Sequence, residues 1–331
     1  MKKLIAIIMA LAILFCVTAC SGAQGTGAKK DDEIIIGFNT NQLTNETMTF
    51  MVDVFKTYGE EHNIKIMVSE DGGDTATLLT NLENFVAGGV DGIIFMNYDP
   101  VGVAPMLEDL KEKGIPVVSY DEYSDLCDYS FLCSNTQLGT AIGEMAADWA
   151  NANLEGPVEV ALIGVDVNGF LKERGDAIEA AVKANIPDCT VYRENLGGGG
   201  ASDPVTIFAN MTSAHPGIRV LVSVADACVV APAEAWYGDL VGMGADISQY
   251  GVFATDATDI ALNLINKSKT NEAVMRGSID LGLKDVVPLG MISCLHAAIE
   301  GRESGYPKEN YYNIKLVTAE NVDEYVEYLN E

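Results

Sequence analysis

The chain is 331 residues long, 48% hydrophobic and 21% charged, with 20 Lys+Arg against 48 Asp+Glu for a formal net charge of −28. That length carries about two domains with proper cores, and the charged residues are too few for a disordered chain. So acidic a balance repels phosphate backbones and excludes general nucleic-acid binding, and seven cysteines are too sparse for a disulfide-stapled scaffold.

Lys2 and Lys3 precede an unbroken apolar run from Leu4 to Val17. As a helix the run reaches about 21 Å, short of the roughly 30 Å hydrocarbon core of a bilayer. Residues 1–19 are therefore expected to be a secretory signal peptide rather than a membrane span. The run ends Val17-Thr18-Ala19-Cys20, followed by Ser21-Gly22, which resembles a lipobox and makes Cys20 the expected lipidation site. Two or more acyl chains there would hold the protein stably on the outer face of the cell membrane. Residues 20–33 lack an apolar period and read as a flexible tether with an r.m.s. span of about 20 Å.

Beyond the tether, short β-branched runs alternate with amphipathic stretches. The strands expected in chain order are Ile34–Phe38, Ile64–Ser69, Gly92–Met96, Pro116–Ser119, Ser130–Cys133, Val158–Gly164, Cys189–Arg193, Ile218–Val224, Gly251–Ala254, Ala273–Ile279 and Tyr312–Leu316. Most are continuous apolar runs, as in parallel strands buried on both faces. Between them fall helix patterns at about Glu46–His62, Asp74–Gly88, Val101–Lys113, Thr136–Asn153, Gly169–Ala184, Asp203–Ala214, Asp226–Val241, Ala257–Ile265, Lys284–Glu300 and Asn321–Leu329. The alternation predicts an α/β fold of two doubly wound, Rossmann-like lobes with parallel sheets and right-handed crossovers.

No GxSxG, GxxxxGK or HExxH occurs, and His62, His215 and His296 are far apart in sequence. No metal, cofactor or catalytic activity is expected on these grounds. Cys127 and Cys133 are close enough to bridge, but buried thiols explain them better. The tract Gly197–Gly200 reads as a mobile loop, since Ser202 stands where a phosphate-cradling glycine is required.

Open α/β sheets bind ligands beyond the carboxyl ends of their strands. Those places hold Asn41, Asn45 and Glu46 after the first strand, Tyr98 after the third, and Asp121 and Glu122 after the fourth. In the second half they hold Phe170 and Arg174, then Asp226, Asp256 and Asp280. A helix N-cap would by itself account for Asp226.

The segments DGIIFMNYDP (91–100), GIPVVSYDEY (114–123), SNTQLGTAIGE (134–144), KERGDAI (172–178), AHPGIRVLVSVADA (214–227), VFATDATDIAL (252–262) and GMISCLHAAIEG (290–301), in this order and spacing, resemble the type I periplasmic solute-binding proteins of ABC importers, in the ribose/galactose-binding branch. The resemblance implies two lobes joined by three crossing segments, near 134–136, 280–282 and 310–313, that close on a ligand like a hinge. The N-terminal lobe would comprise 34–134 plus 281–310, and the C-terminal lobe 135–280 plus 311–331. It also implies a monomer that passes a sugar or polyol to a membrane permease with an ATPase subunit. A receptor signalling to a membrane kinase or chemoreceptor would use the same closure.

Carried over by residue, the resemblance gives Asp121 and Asp256 as acceptors of ligand hydroxyls, Arg174 as the donor, and Asp280 in place of an amide at the hinge. The chain departs from the family where Asn45 and Glu46 replace a stacking Phe pair and where Ala225-Asp226 replaces an asparagine-bearing segment. Tyr98, Tyr120, Tyr123 or Phe170 would then supply the stacking face, while Trp149 and Trp236 sit inside helix patterns and read as core. With Asp121, Glu122, Asp256 and Asp280 set against Arg174, the site is net negative. It is expected to reject sugar acids and phosphates and to accept a neutral or aminated solute.

Overall fold

The computed structural model describes residues 33–197 and 203–328; the expected signal peptide, Cys20, almost all of the tether and most of the glycine tract lie outside them. The first sheet contains β1 (Ile34–Thr40), β2 (Ile64–Glu70), β3 (Gly92–Asn97), β4 (Val117–Asp121), β5 (Tyr129–Leu132) and β11 (Glu309–Tyr311) in the order β11-β5-β4-β3-β1-β2. Its crossover helices are α1 (Glu46–His62), α2 (Thr75–Ala87) and α3 (Pro100–Glu112). The second sheet contains β6 (Glu159–Gly164), β7 (Thr190–Asn195), β8 (Ile218–Ser223), β9 (Gly251–Phe253), β10 (Met275–Asp280) and β12 (Lys315–Thr318) in the order β12-β10-β9-β8-β6-β7. With it go α4 (Asn135–Asn153), α5 (Gly169–Asn185), α6 (Pro204–Ala214), α7 (Val230–Met243), α8 (Asp259–Ser268) and α10 (Val322–Tyr328), whereas α9 (Val286–Ile299) packs on β3 and α1 of the first.

The helix starts follow side-chain chemistry legible in the sequence. Asn45, Asp74, Asp99, Ser134, Asn168, Asp203 and Thr258 each accept a hydrogen bond from a backbone N–H of the first turn, and Pro100 and Pro204 occupy early positions where no N–H is needed. The central strands are apolar on both faces because helices cover both, and β3 is buried along its whole length, whereas the edge strands β2 and β7 are mostly half-buried.

Three expectations differ from the structure. The helix pattern beginning at Asp226 is broken: a short 3-10 turn covers Asp226–Cys228 and α7 starts at Val230 without a side-chain cap. The cause is that the Asp226 carboxylate points away, toward Thr258 and Ser278. Of the single strand expected over Tyr312–Leu316, residues 315–316 fall in β12 and 312–314 form the passage between two short strands, one in each sheet, because Tyr312 turns inward to meet Asp121. Finally, β12 runs antiparallel to β10, so the second sheet is mixed. Besides this third passage, the chain moves between the sheets at 133–134 and 281–285.

α4 and α5 lie unusually close. A Cβ added at Gly139 would come within 2.3 Å of the Arg174 carbonyl oxygen, and one at Gly143 within 2.6 Å of the Ala181 Cβ. Side chains larger than hydrogen cannot fit there without separating the helices. Gly139→Val is therefore expected to destabilise the chain by about 1–3 kcal/mol through overpacking, read as a lower midpoint in thermal or urea unfolding. A midpoint equal to that of the parent would show the helix pair can yield freely.

Candidate functional site

The switch points of the two sheets, where neighbouring crossovers leave in opposite directions, fall beside β1/β3 and β6/β8, the places where open α/β sheets form a crevice. From the first sheet come Asp121, at the last position of β4, and Glu122. Asp121 has φ 76, a left-handed conformation uncommon for a non-glycine residue and associated with functional sites. One of its carboxylate oxygens accepts from the Tyr312 hydroxyl at 3.0 Å. Asn97, paired in register with Asp121, is fully buried and donates its amide to the Glu122 carbonyl at 3.2 Å, and its own Oδ1 has no partner among the described residues.

From the second sheet come Arg174, Asp226 and Asp256. Arg174 is 7% exposed. Its Nε and Nη2 donate to Asn135 Oδ1 at 3.0 and 2.7 Å, and its Nη1 donates to the Val224 carbonyl at 2.8 Å. Asn135 is the first residue of α4, so the guanidinium is fixed by the same helix pair that Gly139 lets approach. Asp226 is wholly buried and accepts from the Thr258 backbone N–H at 3.0 Å, the Thr258 hydroxyl at 3.2 Å and the Ser278 hydroxyl at 2.9 Å. Asp256 is half-buried and has φ 111, again left-handed.

These carboxyls are hard to ionise. Burial raises Asp121, opposed by the Arg174 charge and the Tyr312 hydroxyl. Burial also raises Glu122, with Asp121 and Glu173 adding to it. Asp226 and Asp256 are both raised, by burial first; the Asp256 charge pushes Asp226 further, while Arg174 restrains Asp256. The neighbouring Cys133 thiol is pushed up to about 12, chiefly by burial.

The structure thus brings Asp121, Glu122, Arg174, Asp226 and Asp256 together, along with Asn135 and Tyr312, which the sequence reading did not include among the site residues. Asn135 could have been suspected from its place directly after a helix cap at a passage between sheets; Tyr312 was hidden by the strand pattern assigned to it. Asn45 and Glu46 reach the mouth, where with Thr44, Asp226, Asp256, Thr258 and other residues they line a cavity of about 270 Å³. Asn45 acts there as the α1 cap. Glu46 Oε1 spans the two halves, accepting from the Asp259 N–H at 2.9 Å with Lys284 at 3.8 Å. Lys284 also pairs with Asp259 and lies over the Phe50 ring.

Other expected residues are placed elsewhere. Asp280 accepts from the Gly282 N–H at 2.8 Å and lines a separate cavity with Lys315 and Tyr325. Asn41 stands half-buried, its carbonyl accepting from the Gly72 N–H. Tyr98 is half-buried, with burial and the nearby Asp71 charge raising its hydroxyl, and Phe170 is half-buried against the core. Tyr120 is not available for stacking: it is 1% exposed, with its ring against Phe38 and its hydroxyl donating to Thr40. Trp236 is core beside Phe208 and Tyr250, and Trp149 packs on Phe253. Cys127 and Cys133 are free thiols that sit in different apolar clusters.

Carboxyls raised above their unfolded values keep protons that the unfolded chain has released. Their contribution to stability is therefore present at acid pH and lost as pH climbs beyond the ordinary carboxylate range. The thermal midpoint of the ligand-free chain is expected to fall between about pH 5 and about pH 8, and Asp226→Asn is expected to flatten that fall. A slope identical in the variant would mean that the Asp226–Asp256 pair contributes no such proton uptake.

A family model described as "Periplasmic binding protein domain" matches residues 36–283. The chain is 26% identical over 102 residues to the D-xylose-binding periplasmic protein of Escherichia coli, an alignment covering 31% of each chain. It is 25% identical over 214 residues to the xylitol-binding protein of Mycolicibacterium smegmatis, covering 64% of this chain and 59% of that one. The chain thus spans less than two thirds of the length of these curated relatives. Among solved structures, a carbohydrate transporter solute-binding protein from Agrobacterium radiobacter in complex with D-arabinose superposes with a TM-score of 0.74 at 18% identity, covering 91% of this chain and 100% of that one. An ABC transporter solute-binding protein from Bacillus halodurans with bound myo-inositol gives 0.73 at 18% identity, covering 90% and 99%. With the family model spanning both sheets, from β1 to the passage after β10, this chain belongs to the periplasmic binding protein family.

Proposed function

We propose that the chain is an extracytoplasmic solute-binding lipoprotein, anchored through Cys20. In this reading it captures a sugar or polyol between its two halves as a monomer and delivers it to an ABC permease and its ATPase. The observation that carries the reading is the convergence of Asp121 from one sheet with Arg174 and Asp256 from the other. Carboxylates accept from ligand hydroxyls and a guanidinium donates to ligand oxygens, the complement that a polyol requires. The passages at 133–134, 281–285 and 312–314 serve as the hinge, and 34–132 with α9 and β11 move as one lobe against the rest. The relatives named for D-xylose and xylitol, and the neighbours holding D-arabinose and myo-inositol, support the same solute class.

Catalysis has no place in this reading. Asp226 has its oxygens occupied by three protein donors, and no activated nucleophile accompanies the remaining carboxyls. Incubation with nitrophenyl glycosides is expected to release no nitrophenol.

The test is a thermal-shift screen of the chain against pentoses, hexoses, polyols and nucleosides. Saturation at 100 Kd adds about 2.7 kcal/mol, a rise of several degrees in Tm. Asp256→Asn, nearly isosteric, is expected to shrink that rise. Arg174→Ala is expected to lose it and to lower the ligand-free midpoint, because it strands the buried Asn135 and Val224 oxygens. A full ligand-induced rise in both variants would show that the solute binds elsewhere.

A further inference from the structure

Resting on that reading, we propose that the solute carries a protonated amino group, so that the cleft selects an amino sugar or amino polyol over its neutral parent, with the ammonium held between Asp121 and Asp256. The argument is an inventory of donors and acceptors. Arg174 has five N–H groups, and at least three are committed to Asn135 and Val224, both neutral. At most two are left for a ligand. Lys284, the other cation beside the cleft, is committed to Asp259 and Glu46 at the mouth.

Acceptors, by contrast, are in surplus. Asp121 receives one donor, the Tyr312 hydroxyl. Among the described residues Asp256 receives only the Asp226 backbone N–H, which itself bonds to the Thr255 carbonyl. Asp226 is satisfied by Thr258 and Ser278 and so offers the guest no oxygen. Glu122 stands next to Asp121 and near Glu173 of α5, so closure brings like charges together. Asn97 contributes an independent sign. Its amide is bound at the Asp121–Glu122 turn through the Glu122 carbonyl, and its fully buried Oδ1 meets no donor among the described residues. A buried acceptor left so is costly, and it adds a further demand for donors at the Asp121 end of the cleft.

A sugar hydroxyl brings one donor and two acceptor lone pairs, whereas an ammonium brings three donors and no acceptor. Closing water out over Asp121, Glu122 and Asp256 beside one guanidinium leaves accepting oxygens unmet, and a cation from the guest both meets them and draws these raised carboxyls into their ionised forms. An amino group on a polyol frame supplies that charge, and its hydroxyls use whatever guanidinium N–H groups remain. A phosphate or sugar acid would deepen the imbalance.

The experiment is calorimetric titration of the full chain at neutral pH with glucosamine, galactosamine and mannosamine, each beside glucose, galactose or mannose and beside its N-acetylated form, which keeps the bulk but not the charge. At least one amine is expected to bind tenfold or more tightly than both its parent and its N-acetyl derivative. Asp256→Asn and Asp121→Asn are each expected to reduce that ratio several-fold. Parents that bind as well as amines would overturn the ammonium site and leave sugar capture standing. A ratio unmoved in both variants would overturn the placement of the ammonium. Silence from all of these sugars alongside a thermal shift with a pentose, polyol or nucleoside would overturn this inference alone, whereas no shift with any solute would overturn the function as well.

Discussion

The geometry of the cleft depends on one buried fork, the pair of hydrogen bonds from the Arg174 guanidinium to Asn135 Oδ1. It joins α5 to the first turn of α4, at the point where the chain has just passed from one sheet to the other. Because the guanidinium is planar and rigid, two bonds to one oxygen and a third to the Val224 carbonyl leave it a single orientation. Its charge is then available to the carboxyls on either side, and it favours the ionised form of both Asp121 and Asp256 against the effect of burial. Glycine at 139 is a precondition, since any side chain there would strike the Arg174 backbone.

The acids around that fork fall into two kinds. Asp226 is structural in its contacts: it organises the start of α8 through Thr258 and ties it to β10 through Ser278. Asp121 and Asp256 are held in left-handed backbone conformations, and most of their accepting capacity is unspent. Strain of this type is retained where function calls for it. The distinction between committed and open carboxylates, rather than the number of acids, defines what the cleft can recognise.

Much of this was legible before the structure. The helix α1 follows Asn45 and ends at His62 as its cap and apolar period require, and α2 follows from Asp74 and the Leu78, Leu82, Phe85 stripe. The rule that ligands gather beyond strand ends led to Asp121, Arg174 and Asp256 without any side-chain geometry. It also admitted Asp280, which caps its own turn, and Tyr120, whose ring is buried against Phe38, because strand-end position says nothing of which way a side chain turns. Asn135 and Tyr312 escaped for the same reason: each acts through a partner distant in sequence, 39 residues away for Asn135 and 191 for Tyr312. Asp226 shows a related limit, as its position predicted a cap and its oxygens went instead to another helix.

The two tryptophans have a practical consequence. The sequence contains only Trp149 and Trp236, one on α4 and one on α7, and both belong to the half built on the second sheet. Indole emission therefore observes that half alone. Ultraviolet excitation selective for tryptophan would follow its unfolding, or a rearrangement around the Phe253 and Tyr250 contacts, while the half built on β1–β5 stayed optically dark. A spectral change on adding solute would have to originate beside α4 or α7, which makes the native fluorophores a one-sided reporter.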